Sequence, residues 1–276
     1  MLKSLLKMAG GGLLAATMLA SSVTVAAADT GALIEEAMNG SHRSAAYIAR
    51  NQYRHPKETL LFFGLKPDMT VVEISPGGGW YSEILAPVLR DNGMFYAASY
   101  RISANSRDFF RRMDANYRAK LKASPAVYGR MKLVHFDREM PEFAPAGSAD
   151  MVLTFRNVHN WAKAGTAEVM FRGFHAALKP GGVLGVIDHR AKPGTSFDQQ
   201  IQSGYMTEDY VIETAKRAGF RLSAKSEINA NPKDTADHPG GVWNLLPNLR
   251  NVSEDDLERM RAIGESDRMT LKFVKR

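Results

Sequence analysis

The 276-residue chain contains no cysteine. It needs no disulfide to fold and loses nothing in an oxidising compartment. Internal repeats and low-complexity tracts are also missing, so a chain of this length with 45% hydrophobic content reads as one domain with one substantial core. No strand-to-helix turn carries the GxGxxG spacing, and no phosphate-loop lysine with a hydroxyl neighbour occurs. Readings as a nicotinamide or nucleoside-triphosphate protein lose ground accordingly. The formal charge of +7 is not gathered into a block, because Asp and Glu are interleaved with Lys and Arg. With no nucleic-acid-binding motif beside it, the excess points to solubility and to an anionic ligand rather than to nucleic acid.

What is present begins with a targeting segment. Lys3 and Lys7 supply a positive start, residues 13–20 an apolar stretch too short for a comfortable membrane span, and Ala26, Ala27 and Ala28 a small-residue cleavage site before Asp29. Gly10, Gly11 and Gly12 argue against a buried N-terminal helix. Residues 1–28 therefore read as a signal peptide, with no cysteine for lipid attachment and no twin arginine. Losing its two lysines takes the chain from +7 to +5. The expected address is the periplasm or the extracellular space, with no stable membrane insertion after cleavage.

Beyond Asp29 the pattern is helical to Gly64, with apolar faces at Leu33, Ile34 and Ala37, then Ala45 to Ala49, then Leu60 to Phe63. After Pro67 the character changes. Residues 70–75 form a short, β-branched, almost wholly apolar run that suits a strand buried on both faces. Strands are then predicted at 94–99, 131–136, 151–155 and 183–188, with helices at 80–89, 105–122 and 166–178 between them. Alternation of this kind implies right-handed crossovers and a doubly wound sheet. A helix opening at Thr207 and closing at Gly219, followed by strands at 221–228 and 269–274, predicts an antiparallel hairpin at the end of the sheet. Residues 229–265 between those strands read as a lid or surface insertion. In the 105–122 helix, Arg107, Arg111, Arg112, Arg118, Lys120 and Lys122 read as a solvated face whose neighbours Phe109 and Phe110 turn to the core.

The informative stretch is Val71-Val72-Glu73-Ile74-Ser75-Pro76-Gly77-Gly78-Gly79-Trp80. A strand ends on an acid, a glycine-rich turn follows and a helix opens, so a ligand can lie against bare backbone at the helix N-terminus. The same glycines also suit a tight turn with no ligand. The stretch resembles the first motif of the class I S-adenosylmethionine-dependent methyltransferases. The resemblance continues through Gly93 and its strand, Phe136-Asp137 with Met140, Pro141 and Phe143, Ala149 to Leu153, and the turn Leu178-Lys179-Pro180-Gly181-Gly182-Val183-Leu184. With the leader, PGGGWYSEILAP and a histidine-bearing loop after the fourth strand, it most resembles a group of exported predicted methyltransferases.

The resemblance implies an α/β fold with a doubly wound, mostly parallel seven-stranded sheet of the Rossmann-like methyltransferase kind, ending in the antiparallel hairpin. Residues 29–276 would form that domain, with 29–66 a helical cover and 229–265 an insertion before the last strand. It implies S-adenosylmethionine as cofactor, with Glu73, Ser75, Gly77 and Gly79 under its methionine and ribose parts and Asp137 at the adenine. Two departures stand out. Ser75 replaces the family's first glycine, which is tolerable if its dihedrals stay negative. At the end of the second strand, where the family places an acid on the ribose, this chain has Ser99 followed by Tyr100. A lost charge-assisted hydrogen bond there is worth about 1.5–3 kcal/mol, or roughly ten- to a hundredfold in affinity.

The segment Arg156-Asn157-Val158-His159-Asn160-Trp161 follows a central strand, at the edge where doubly wound sheets bind ligands. His159 suits a general base for a hydroxyl or amine acceptor, with Asn157 or Trp161 positioning the partner; it suits equally a loop cap. Asp188-His189-Arg190 ends the next strand and is placed to complete the same pocket. His135 and Asp137 lack tight ligand spacing with these histidines, so no metal is expected. The leading reading is a methyltransferase acting on a small molecule near His159 and His189. The alternative is an exported ligand-binding or accessory protein on the same scaffold that has lost methyl transfer, favoured by Ser99.

Overall fold

The computed structural model describes residues 29–276; the expected leader lies outside them. Seven strands form one sheet: β1 (Thr70–Ile74), β2 (Met94–Tyr100), β3 (Lys132–Phe136), β4 (Ala149–Phe155), β5 (Leu178–His189), β6 (Phe220–Ser226) and β7 (Arg268–Lys275). Their spatial order is β3-β2-β1-β4-β5-β7-β6. The first five run parallel, and β7 lies antiparallel to both β5 and β6. This is the predicted doubly wound sheet with its terminal hairpin. Strand order reverses between β1 and β4, which opens a crevice at their carboxyl ends.

The pattern of β1 shows why the sheet is central. Val71, Val72, Glu73 and Ile74 are all buried, because alternate side chains enter two different apolar layers. Val72 and Ile74 join Val152, Val186, Phe171 and Phe174 on one face. Val71 joins Leu153, Ile187, Ile34, Leu60 and Phe63 on the other. Each such side chain contributes roughly 1.5–3 kcal/mol of burial. The helix Ser82–Leu89 is packed between the helix Thr30–Met38 and β2 so closely that every residue except Pro87 is buried. The helices Thr30–Met38 and Pro56–Phe63 cover the same face, the first capped by the Asp29 carboxylate accepting from Gly31 N–H.

Two expectations need correction. The stretch after β4 is not a simple loop, because Val158–Lys163 forms a short helix with Val158, His159, Trp161 and Ala162 buried. The helix Asp108–Ala123 buries only Tyr117. Phe109 is 55% exposed, since the helix docks through Tyr117, eight residues further on. Residues 229–265, expected as a lid or surface insertion, lie between β6 and β7 and are tied down by hydrogen bonds. Asp234 accepts hydrogen bonds from the Tyr205 hydroxyl at 3.0 Å, His238 Nε2 at 2.9 Å and Asp267 N–H at 2.8 Å. Such a bonded network holds its segment in one place. Among the described residues no helix is long and apolar enough to cross a membrane.

Candidate active site

The crevice holds a cavity of about 970 Å³ lined from β1, β2, β4, β5, the N-terminal helices and the 229–265 segment. That is spacious for one drug-sized ligand and suits two. Its β1 side is the glycine turn. Ser75 N–H donates to the Ala98 carbonyl at 2.8 Å, Gly79 N–H to the Pro76 carbonyl at 2.9 Å. Ser75 itself has φ +52°, so the condition of negative dihedrals set by its side chain fails. The tight reversal out of β1 imposes a left-handed backbone at this position, whatever residue stands there. The Ser75 hydroxyl is buried with no hydrogen-bond partner.

The three glycines do different jobs. A Cβ on Gly77, at φ +60°, would meet nothing within 4 Å, and Gly77 lines the cavity. A Cβ on Gly78 would strike the Tyr47 hydroxyl at 2.4 Å, and one on Gly79 the Tyr117 ring at 2.7 Å. Gly79, expected under the cofactor, instead makes room for the helix Asp108–Ala123. Glu73 lies beneath the turn, 2% exposed, accepting from the Ser82 hydroxyl at 2.6 Å. Burial pushes its carboxyl up to about 7, with the Ser82 bond and Lys120 pulling the other way.

On the β2 side, Ser99 and Tyr100 both line the cavity. Trp161 Nε1 donates to the Tyr100 hydroxyl at 2.6 Å, so the ring is held aside and does not plug the hollow. Asp137 is not on this cavity. It lines an adjoining hollow of about 330 Å³, and both its oxygens accept from Arg101 Nε at 3.1 Å. Its partner Arg101 is the residue immediately past the end of β2.

On the β4–β5 side the predicted residues converge. Asn157 donates from Nδ2 to the Ile74 carbonyl at 3.1 Å and to Thr154 Oγ1 at 3.2 Å, tying β4 to the end of β1. Asp188, wholly buried, accepts from His159 N–H at 3.0 Å, His159 Nδ1 at 2.9 Å and His189 N–H at 2.8 Å. With Nδ1 donating to a carboxylate, the Nε2 lone pair of neutral His159 is the free position, and the ring lines the cavity. His189 rests 5.2 Å from it, ring centre to ring centre, and bonds through Nδ1 to the Ser266 hydroxyl. Burial first, and then neighbouring His159 and arginines, push His189 well below its ordinary range. Arg190 turns away to Asp267, Glu208 and Glu227.

Ligand atoms of His159, Asp188 and His189 lie within 4.8 Å of one another, a proximity that sequence spacing did not show. Both Asp188 oxygens are already occupied by N–H donors and arginines surround His189, which makes this a poor cation site. His135 is elsewhere, on β3 against Arg118. Residues missed in the sequence complete the wall: Trp243 stands 6.3 Å from the His159 ring, beside Leu246 and Arg250. Arg50, Arg54 and Arg156 form its floor. Only their positions in space, not their spacing, bring them together.

No protein-family model matches this chain, and no curated protein matches it. Solved structures do. An S-adenosylmethionine-dependent methyltransferase from Aquifex aeolicus superposes with a TM-score of 0.54 at 14% identity, over 88% of this chain and 97% of that one. The [4+2]-cyclase SpnF superposes with a TM-score of 0.56 at 15% identity, over 86% and 84%. The chain has the Rossmann-like fold of class I methyltransferases. At such identities the likeness establishes architecture, and the chemistry must be argued from the site.

Proposed function

We propose that the protein is an S-adenosylmethionine-dependent methyltransferase acting on a small molecule. One observation carries the reading: the turn after β1 is bare toward the cavity, with open space where a Gly77 side chain would stand and an unpaired Ser75 hydroxyl beside it. Open space is shared by surface-turn glycines such as Gly147 and Gly181; what sets Gly77 apart is that its open side belongs to the cavity wall. The residues fit a nucleoside bearing an amino acid. Glu73 would meet the cationic methionine end, and Ser99 and Tyr100 the ribose. Asp137 would serve the adenine by releasing Arg101. The cofactor supplies an electrophilic methyl group when bound. His159, fixed by Asp188, accepts the acceptor's proton at Nε2, while Trp243 and the 229–265 wall exclude water. His189, held neutral, lines the same end.

Calorimetric titration with S-adenosylmethionine and S-adenosylhomocysteine tests this. Micromolar affinity is expected, and Gly77→Val should abolish it. Silence at millimolar ligand would refute the proposal and leave a binding or accessory protein on the same scaffold. We also place the protein outside the cytoplasm, on the strength of its leader. Mass spectrometry of the periplasmic fraction should find Asp29 at the N-terminus; an intact Met1 there would refute export by cleavage.

A further inference from the structure

The half of the cavity over β4, β5 and β7 is strongly cationic, which methyl transfer alone does not require. Four arginines gather round one carboxylate. Glu265 receives Arg50 Nε at 2.6 Å, Arg54 Nε at 3.0 Å and Arg268 Nη1 at 3.1 Å. Burial by itself would raise the Glu265 carboxyl; the arginines overcome this and hold it at about 2. The fourth, Arg156, has no side-chain hydrogen bond or ion pair among the described residues, and it lines the cavity. Burial pushes it down only to about 10, so it stays charged. The one other carboxylate within reach of Arg156 is Asp188, already committed to His159 and His189. Four cations against two carboxylates leave a surplus of two positive charges at this end of the cavity, where Arg54 and Arg268 are buried and Arg50 and Arg156 half-buried.

The hydrogen bonds are incomplete in the same sense. Arg50 Nη2, Arg54 Nη2 and Arg268 Nε are buried without an acceptor. Arg54 is 3% exposed, lines the cavity and is stacked 4.6 Å over the Trp80 ring, so it cannot swing out to water. Unpaired buried guanidinium N–H groups are costly unless an acceptor arrives. The arginines also sit away from the half of the sheet that carries Ser99 and Asp137. Arg156 follows β4, and Arg268 opens β7 opposite His189 of β5.

We propose that this floor is an oxyanion site: the molecule bound beside His159 carries a carboxylate or phosphate that Arg156 seats, with Arg54 and Arg50 supplying further donors. Planar guanidinium groups match either oxyanion in a two-pronged manner. Calling that molecule the methyl acceptor rests on the methyltransferase reading; the anion site stands on the arginines alone. A second source of the same chemistry is the α-carboxylate of the cofactor, and the test separates the two.

The full chain is titrated with benzoate, phenyl phosphate and neutral benzamide, with and without saturating S-adenosylhomocysteine. Benzoate or phenyl phosphate should bind at least about tenfold more tightly than benzamide. Arg156→Asn, a residue at ease with the φ of +62° at this position, should remove that preference, and Arg156→Lys, which keeps the charge but not the planar fork, should keep only part of it. If Arg156→Asn does not fold, the contrast between benzoate and benzamide in the unaltered protein still decides. Equal binding of the neutral amide, or anion affinity unchanged in Arg156→Asn, overturns the proposal. So does an Arg156→Asn variant that loses S-adenosylhomocysteine but keeps 5′-methylthioadenosine, which lacks the carboxylate. Cofactor binding with no anion binding would sink this inference and spare the methyltransferase; anion binding with no cofactor binding would do the reverse.

Discussion

Replacing Glu73 by glutamine removes a charge that the ligand-free protein holds at a cost. The carboxyl is wholly buried and burial carries it from 4.5 to about 7. Below pH 4.5 the group is protonated in both folded and unfolded chains and contributes nothing to pH dependence. Between about 4.5 and 7 the unfolded chain ionises while the folded one keeps its proton, so stability falls as pH rises. Above 7 both are ionised and the full cost stands, about 3 kcal/mol at roughly 1.4 kcal/mol per pH unit. Glutamine still accepts from the Ser82 hydroxyl, which lies 2.6 Å from the carboxylate, and cannot ionise. Urea unfolding should therefore give Glu73→Gln and the parent equal stability at pH 4, with the variant ahead by about 3 kcal/mol at pH 8. The same variant should bind S-adenosylmethionine about ten- to a hundredfold more weakly, because nothing then answers the cationic end of the ligand. A stability difference that is the same at every pH would refute the argument, since it would show an ordinary carboxylate under the turn. A residue that lowers stability until a ligand arrives belongs to a site rather than to the core.

Two further substitutions have clear signs. Ser75→Gly relieves a left-handed serine with φ +52° whose hydroxyl has no partner, and should raise stability by up to about 1 kcal/mol in denaturant unfolding; a loss would mean that the hydroxyl is bonded in solution. Asp188→Asn offers one oxygen where the carboxylate takes three donors from His159 and His189, and should cost about 2–3 kcal/mol. With an acceptor in hand it should also lower kcat by about 10²–10⁴ while leaving KM nearly unchanged, whereas an equal rise in KM would make Asp188 a binding residue only.

The sheet was legible because strands buried on both faces are written as short apolar runs between turns, and 70–75, 94–99 and 151–155 are such runs. The glycine turn was legible for its spacing but not for its division of labour: which glycine faces a ligand depends on Tyr47 and Tyr117, which arrive from distant elements. The pairing of Asp137 with Arg101 was hidden for a similar reason, since it depends on where β2 ends. The arginine floor was the least readable part. Arg50 and Glu265 are 215 positions apart, and nothing in their spacing or neighbours singles either of them out. Sequence charge did point to an anionic ligand, but only the parallel β4 and β5 beside an antiparallel β7 show where the charge collects.

The fold alone does not fix the chemistry, for it is shared with a methyltransferase and with a [4+2]-cyclase. The polarity of the cavity narrows it further. Its β1 end offers Glu73, a buried acid ready to ionise near neutral pH; its β4–β7 end offers a surplus of guanidinium charge. A single neutral substrate would leave both ends uncompensated, and each would then remain a standing cost to the folded state. Two ligands of opposite charge, a cation over the glycine turn and an anion beside His159, would neutralise both. The sulfonium donor and anionic acceptor proposed above would be such a pair, and Asn157 ties the strand beneath one half to the strand beneath the other through the Ile74 carbonyl.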